Sequence, residues 1–211
     1  MSEWTIARWS LYAPIYDAVG GLTAPARRRS LELLAPRPGE RLLVVGCGTG
    51  LDFAFLPPGL TVDAIDASPA MAQRAARRAS RLVPPVRVQV MDATALEFPD
   101  GSFDAAVLHL ILAVLPAPAA GLCLREVARV LRPGGRVAVL DKFVPGEDCR
   151  PGRARRLLDV VARAAVTRIT ACLEALVEEA PFAIEHQEPS LLRGQFRIAV
   201  LRKRESPAAG A

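Results

Sequence analysis

Short apolar runs separated by polar or glycine-rich turns recur along much of the chain. The predicted strands cover residues 41–45, 60–65, 86–91, 105–109 and 136–140. Apolar residues at helical spacing lie between these runs, and the predicted helices cover residues 24–34, 69–80 and 119–131. This alternation predicts an α/β fold with a mostly parallel sheet and helices on both faces.

The C-terminal third is also predicted to contain helix and strand. Residues 153–180 carry one apolar stripe at helical spacing, which predicts one long helix or two shorter ones. Residues 182–187 and 195–202 are predicted as two closing strands. With 211 residues and 51% hydrophobic content, the chain is long enough for one domain with a substantial core. We therefore interpret residues 1–211 as a single domain.

A glycine turn, Gly-Cys-Gly-Thr-Gly over residues 46–50, follows the first predicted strand directly. Glycines allow positive φ and let a ligand approach the backbone, and residues 51–56 are expected to open a helix there. Asp66 lies twenty residues after Gly46, at the end of the second strand, where a carboxylate can accept both hydroxyls of a ribose. Leu51 replaces the third glycine of a dinucleotide fingerprint, which favours a single nucleoside-like ligand. A tight turn with no ligand is the alternative.

Four segments in fixed order resemble the class I S-adenosylmethionine-dependent methyltransferases: VGCGTG, AIDASPAM, VMDATALEFPDGSFD and VLRPGGRV. The resemblance covers roughly residues 36–142 and implies a Rossmann-like fold whose last strand runs antiparallel. It also implies S-adenosylmethionine (SAM) as cofactor, released as S-adenosylhomocysteine (SAH). The cofactor-binding residues that it implies are Gly46, Cys47, Gly48, Thr49, Gly50, Asp66, Ala67, Met71, Asp92 and Ala93. Asp66 would hold the ribose, Met71 would lie near the adenine, and Asp92 with Ala93 would face the adenine amino group.

Candidate catalytic residues belong at the carboxyl ends of the central strands, where open α/β sheets bind ligands. His109 follows the fourth strand and Asp141 the fifth, while Tyr12 and Tyr16 are placed to close over the site. Histidine is the usual base near neutral pH. The alternative for His109 is a neutral residue hydrogen-bonded in a tight loop.

Within the methyltransferases, the segments YAPIYD, ALEFPDGSFDAAVLHLILAVLP and LLRGQFRIAVLRK resemble small bacterial phospholipid N-methyltransferases. That resemblance implies methylation of phosphatidylethanolamine and its methylated forms. Ubiquinone and menaquinone C-methyltransferases share nearly all of the cofactor motifs, so a quinone-like or soluble small-molecule acceptor is the alternative. A non-catalytic SAM-binding module is disfavoured, because Asp66, Asp92 and the three turn glycines are intact.

Residues 1–35 are predicted as a helical lid and a possible membrane contact. Trp4, Trp9, Tyr12 and Tyr16 are amphipathic side chains that favour the boundary between water and lipid. The net charge of +5 favours anionic membrane surfaces. A helix packed on the sheet is the alternative for residues 2–19. The arginines at 27–29 lie on the next predicted helix; three adjacent residues cannot all face one way, and a solvated face is the expectation for this group.

Several classes of protein are disfavoured. The four cysteines show no CxxC spacing, so neither a metal site nor a disulfide framework is expected. Leu108-His109-Leu110-Ile111 stands where methyltransferases of nucleic-acid bases typically carry an Asn/Asp-Pro-Pro-Tyr/Phe motif, so no nucleic-acid partner is expected. No signal peptide or obligate protein partner is evident. We therefore expect a cytoplasmic protein, with possible peripheral attachment to the inner face of the membrane.

Overall fold

A computed structural model of the chain describes residues 20–144, 158–159 and 167–205. Tyr12, Tyr16 and both tryptophans lie outside the described residues, so the predictions for them are untested. Of the predicted helix over residues 153–180, the structure describes residues 158–159 and 167–180. Residues 167–172 are not helical, and a short helix covers Leu173–Glu178.

Seven strands form one sheet with the order β3-β2-β1-β4-β5-β7-β6. They are β1 Arg41–Val45, β2 Thr61–Asp66, β3 Arg87–Val90, β4 Phe103–His109, β5 Leu131–Lys142, β6 Phe182–Pro189 and β7 Phe196–Lys203. Strands β1 to β5 pair in parallel, whereas β7 runs antiparallel to both β5 and β6. The predicted mostly parallel sheet with an antiparallel last strand is confirmed.

Helices cover both faces of this sheet. They are α1 Ala24–Leu34, α2 Pro69–Ala79, α3 Ala117–Val130, α4 Leu173–Glu178 and α5 Leu191–Gly194. The side chains of β1 pack into two hydrophobic clusters, one on each face of the sheet. Leu42 and Val44 pack with residues of α1 and α2. Leu43 and Val45 pack with residues of α3 and α4. Because a strand's side chains alternate between its faces, burial on both sides makes β1 a continuous apolar run.

The segment after the glycine turn differs from its prediction. Leu51–Phe55 forms a short 3-10 helix rather than the first turns of an α-helix. Leu56 then adopts an extended backbone, with φ −68° and ψ 129°. Pro57 follows it, and the residue before a proline is sterically kept out of the α region, so the helix cannot continue.

Two features of the remaining chain bear on the sequence predictions. Residues 105–124 carry no formal charge but divide into strand, loop and helix. Within the described residues, no helix combines the length and apolar character that a membrane span needs. Cys172, which caps α4, is disulfide-bonded, and this corrects the expectation that the cysteines form no disulfide.

Candidate functional site

A cavity opens at the carboxyl edge of the sheet, above β1, β2 and β4. Its lining residues are Gly46, Gly48, Asp66, Ala67, Met71, Met91, Ala93, His109, Leu110, Ile111 and Val114. Seven of these were predicted from sequence, and the structure brings them together from the ends of four strands and the segments that follow those strands. Parallel strands explain this convergence, because their carboxyl ends meet at one edge of the sheet.

The glycine turn forms one side of the cavity. Gly46, Gly48 and Gly50 have φ values of +65°, +55° and +82°, which side-chain-bearing residues rarely adopt. The Cys47 N–H donates to the Ile65 carbonyl at 2.9 Å, and Arg78 Nη1 donates to the Thr49 carbonyl at 3.0 Å. The turn is therefore tied to β2 and to α2, and its backbone lies open toward the cavity.

Asp66 ends β2 beside this turn, as predicted. Its Oδ2 accepts a hydrogen bond from the Gly48 N–H at 2.8 Å, and Oδ1 accepts one from the Ser68 N–H at 2.9 Å. Burial raises the pKa of the Asp66 carboxyl, partly opposed by these two backbone donors. A carboxylate has about four acceptor positions, so sites facing the cavity remain for a ligand's hydroxyls.

The other predicted cofactor residues occupy different positions around the turn. Met71 and Ala93 line the cavity, whereas Cys47 packs in the apolar cluster beneath it. Burial, reinforced by nearby Asp66, raises the pKa of the Cys47 thiol well above its ordinary value, which fits a small filler rather than a nucleophile. Asp92 does not line the cavity; its Oδ1 accepts from the Thr94 N–H and hydroxyl at 2.9 and 2.8 Å.

The opposite side of the cavity is an apolar wall formed by Leu110, Ile111 and Val114, directly after β4. These side chains and Met91 were not predicted as site residues. Leu110 has φ +63°, an uncommon value for leucine, and its N–H donates to the Leu140 carbonyl at 2.7 Å. The position of the segment after β4 was the available signal, because ligands bind at carboxyl ends of strands.

Asp141 holds this wall in place from β5. Its Oδ2 accepts from the Ala113 N–H at 2.9 Å and its Oδ1 from the Lys142 N–H at 2.8 Å. The residue is buried and does not line the cavity. In this geometry the Asp141 carboxylate anchors the loop after β4, and its predicted catalytic role stays a prediction.

His109 belongs to a buried polar network with Arg27, Ser30 and Asp52. His109 Nδ1 lies 2.6 Å from Asp52 Oδ1, and Nε2 lies 2.9 Å from Ser30 Oγ. Arg27 Nη1 donates to Asp52 Oδ2 at 2.7 Å. Both imidazole nitrogens therefore have protein partners, which matches the alternative interpretation of His109 as a residue hydrogen-bonded within the protein.

Arg27 departs from the solvated face that was the expectation for the arginine group at 27–29. It is only 2% exposed, and three adjacent residues of a helix cannot all face the same way. A buried guanidinium needs a partner, and Asp52 provides one from a segment that is distant in sequence. Although burial alone would raise the pKa of the Asp52 carboxyl, His109 and Arg27 outweigh it and hold that pKa well below its usual range.

Comparison with known proteins assigns this arrangement to a class. Residues 42–135 match a family described as a methyltransferase domain. The chain is 38% identical over 204 residues to nocamycin O-methyltransferase of Saccharothrix syringae, covering 89% of this chain and 70% of that enzyme. The chain belongs to the class I SAM-dependent methyltransferases.

Other relatives share shorter regions. Phosphatidylethanolamine N-methyltransferase of Cereibacter sphaeroides is 35% identical over 138 residues, which cover 64% of this chain and 65% of that enzyme. Demethylmenaquinone methyltransferase of Beutenbergia cavernae is 40% identical over 120 residues, 56% of this chain and 48% of that enzyme. The chain thus spans about half to two thirds of these two relatives.

Among solved structures, the [4+2]-cyclase SpnF has a TM-score of 0.78 at 21% identity, with 95% of this chain and 96% of SpnF covered. Geranyl diphosphate C-methyltransferase from Streptomyces coelicolor A3(2), solved with S-adenosylhomocysteine, has a TM-score of 0.67 at 16% identity, covering 85% of this chain and 76% of that protein. At these identities the similarity establishes the fold, and SAM dependence rests on the family.

The lining residues carry the groups that the nucleoside part of SAM requires. An ideal Cβ built on Gly46 would lie 2.6 Å from Ile111 Cδ1, so any side chain there would push the apolar wall inward. Gly48 presents bare backbone, Asp66 presents acceptor atoms for hydroxyls, and Met71 offers an apolar surface for a flat base. We propose these residues, with Ala67 and Ala93, as the cofactor seat.

Replacing Gly46 with alanine is expected to weaken SAH binding at least tenfold, since the new methyl group forces Ile111 to move. Gly134 provides a matched control, because its φ is +70° and no heavy atom lies within 4 Å of an added Cβ. Both substitutions carry the backbone strain of a left-handed alanine, about 1–2 kcal/mol. Calorimetry and thermal unfolding should therefore show that both variants lose stability but only Gly46→Ala loses SAH affinity. Equal affinities in the two variants would contradict the placement of SAM against this turn.

Proposed function

We propose that this methyltransferase transfers the methyl group of SAM to the oxygen of a lipophilic small molecule with an acidic hydroxyl, such as the enol of a 1,3-dicarbonyl. One observation carries the proposal. His109 and Asp141, the titratable side chains expected at the active-site edge, have their polar atoms bonded to protein. The described residues therefore supply no free base at those two positions, and an acceptor that is already ionised at neutral pH needs none.

The cavity walls support a lipophilic acceptor. Leu110, Ile111 and Val114 are half-buried, with Met91 nearby, and Asp66 is the charged residue among the lining side chains. Such a surface binds apolar skeletons and excludes water from the reacting atoms. The match to nocamycin O-methyltransferase extends over 89% of the chain, and so beyond the cofactor motifs, which agrees with an O-methylated small molecule.

In this reaction the protein has to bind the cofactor and the acceptor in line and to exclude water. Bound SAM supplies a methyl group on a positively charged sulfur, which is open to in-line displacement by an electron-rich atom. Asp66 and the glycine turn would fix the nucleoside, and the apolar wall would hold the acceptor and keep water away. Asp141 would contribute indirectly, because it anchors the Ala113 N–H within the wall segment.

The test is a competition between acceptor classes. The full chain is incubated with SAM bearing a deuterated methyl group and an alkyl-substituted 1,3-dicarbonyl, a prenylated hydroquinone, or phosphatidylethanolamine in anionic vesicles. We expect mass spectrometry to find the label on the enol oxygen, with a pH-rate profile that follows each acceptor's own pKa. Label on a quinone ring carbon or on an ethanolamine nitrogen would overturn the proposal. A single pKa shared by all acceptors would reveal an enzyme base and would also overturn it.

A phospholipid amine is the second candidate acceptor. It is favoured by the 35% identity to phosphatidylethanolamine N-methyltransferase and by the net charge of +5. An alkylammonium group must first lose a proton, and with a pKa near ~10 only about one molecule in a thousand is neutral at pH 7. This candidate also requires membrane contact, so the protein should sediment with anionic vesicles, and more weakly as salt rises.

A further inference from the structure

The buried polar network joins three parts of the fold that are distant in sequence. Arg27 and Ser30 lie on α1, Asp52 lies in the 3-10 helix after the glycine turn, and His109 ends β4. All four residues are at most 3% exposed. Burying such groups is costly unless every one finds partners, and here hydrogen bonds connect all four. The arrangement therefore holds these elements at fixed separations.

One contact in this network joins two segments that adjoin the cofactor cavity. Asp52 comes two residues after Gly50 and so belongs to the segment that continues the glycine turn. His109 directly precedes Leu110, the first residue of the apolar wall, whose backbone has φ +63°. The bond of 2.6 Å between His109 Nδ1 and Asp52 Oδ1 is thus a direct tie between the turn and the wall.

The contact of the other ring nitrogen, Nε2, connects His109 to α1 instead of to the glycine turn. Ser30 Oγ, 2.9 Å from His109 Nε2, lies on α1 and does not line the cavity. The Ser30 contact therefore fixes His109 to the helix layer without touching the glycine turn. The two ring nitrogens thus have separable structural consequences.

We infer that His109 is a positioning residue for the cofactor: its Nδ1 contact with Asp52 sets the spacing between the glycine turn and the apolar wall, and SAM affinity depends on that spacing. The inference rests on the proposed cofactor seat at Gly46, Gly48 and Asp66. An N–H at Nδ1 donates to the Asp52 carboxylate, and this bond fixes the plane of the ring. His109, which also lines the cavity, then acts on SAM through the turn.

Two amide substitutions separate the ring nitrogens. The side-chain nitrogen of His109→Asn is as many bonds from the backbone as Nδ1, so it can still donate to Asp52. The side-chain nitrogen of His109→Gln corresponds to Nε2, so it reaches toward Ser30 and leaves the Asp52 contact unmade. Both variants lose the ring and one contact, so a purely structural role predicts similar losses of stability and equal SAH affinities.

We expect calorimetry to show that His109→Asn binds SAH within about threefold of the parent, whereas His109→Gln binds at least tenfold more weakly. Asp63→Asn is the matched control, because Asp63 is another buried carboxylate, paired with Arg41 at 3.0 Å, and lies outside the cavity lining. It should lower the melting temperature without changing SAH affinity. If a variant is partly unfolded, its SAH binding is measured from the rise in melting temperature on adding SAH instead of by calorimetry. This works because a ligand that binds only the folded state raises its stability.

The outcomes are distinct. Equal SAH affinities for the Asn and Gln variants, whether reduced or unchanged, would overturn the positioning role of His109. A parent protein that binds no SAH would instead overturn the cofactor seat on which the inference rests. An Asp63→Asn variant that loses SAH affinity as strongly as His109→Gln would show that any loss of core stability is sufficient, and this would also overturn the inference.

Discussion

Replacing Asp66 with alanine is expected to weaken SAH binding about 100-fold, or about 2.7 kcal/mol. Hydrogen bonds to an ionised carboxylate contribute roughly 1.5–3 kcal/mol, and the ribose hydroxyls of the cofactor would lose theirs. The substitution also removes the acceptors for the Gly48 and Ser68 N–H groups, which now lie 2.8 and 2.9 Å from the carboxylate oxygens. Isothermal calorimetry at neutral pH measures the loss directly.

Asp66→Asn tests how much of this effect comes from charge. The amide keeps one acceptor oxygen, so we expect a loss of about tenfold, between parent and alanine variant. Because burial raises the pKa of the Asp66 carboxyl, the parent should lose SAH affinity on acidification sooner than an ordinary aspartate would allow. The Asn variant has no carboxyl to protonate and should lack this pH dependence. Equal SAH affinity of Asp66→Ala and the parent would contradict the ribose assignment.

The positions of the strands and of the cofactor turn could be predicted from the sequence because both depend on local patterns. Apolar runs of four to seven residues mark strands, and parallel pairing then places Gly46, Asp66 and His109 at one edge of the sheet. The left-handed backbone at Gly46 and Gly48 was predictable for the same reason, since glycine tolerates positive φ.

What the sequence could not give was the set of partners for buried polar side chains. Nothing local distinguishes Arg27 from its two neighbours on α1; its burial depends on Asp52, which lies 25 residues away. The position of His109 after a strand was correctly predicted, but the function of its ring depends on Ser30 and Asp52, 79 and 57 residues away. Such contacts follow from tertiary packing, so a strand-end histidine looks the same whether it faces a substrate or the core.

Acid should destabilise the parent in a way that identifies the Asp52 carboxylate. In the folded protein its pKa is lowered, because the opposing effects of His109 and Arg27 exceed that of burial. In the unfolded chain it is near ~3.9. The stabilisation is therefore fully present above about pH 4 and is lost as the pH falls toward the folded-state pKa. A variant without this carboxyl should show a shallower fall in the free energy of unfolding over that range.

Replacing Asp52 with alanine is accordingly expected to lower the free energy of unfolding by about 3–5 kcal/mol, because it leaves the Arg27 guanidinium buried without this partner. Replacing Arg27 with methionine in the same chain should recover part of the loss, since the buried charge that has lost its Asp52 partner is then absent and the side-chain volume is nearly kept. Glu188→Ala is the control: Glu188 accepts from Arg29 on the same helix at 3.0 Å, but the pair is exposed to solvent, so its loss should be far smaller. Urea unfolding measures all three variants against the parent. If Asp52→Ala costs no more than Glu188→Ala, the network does not stabilise the fold, and the buried arginine must be satisfied by other groups.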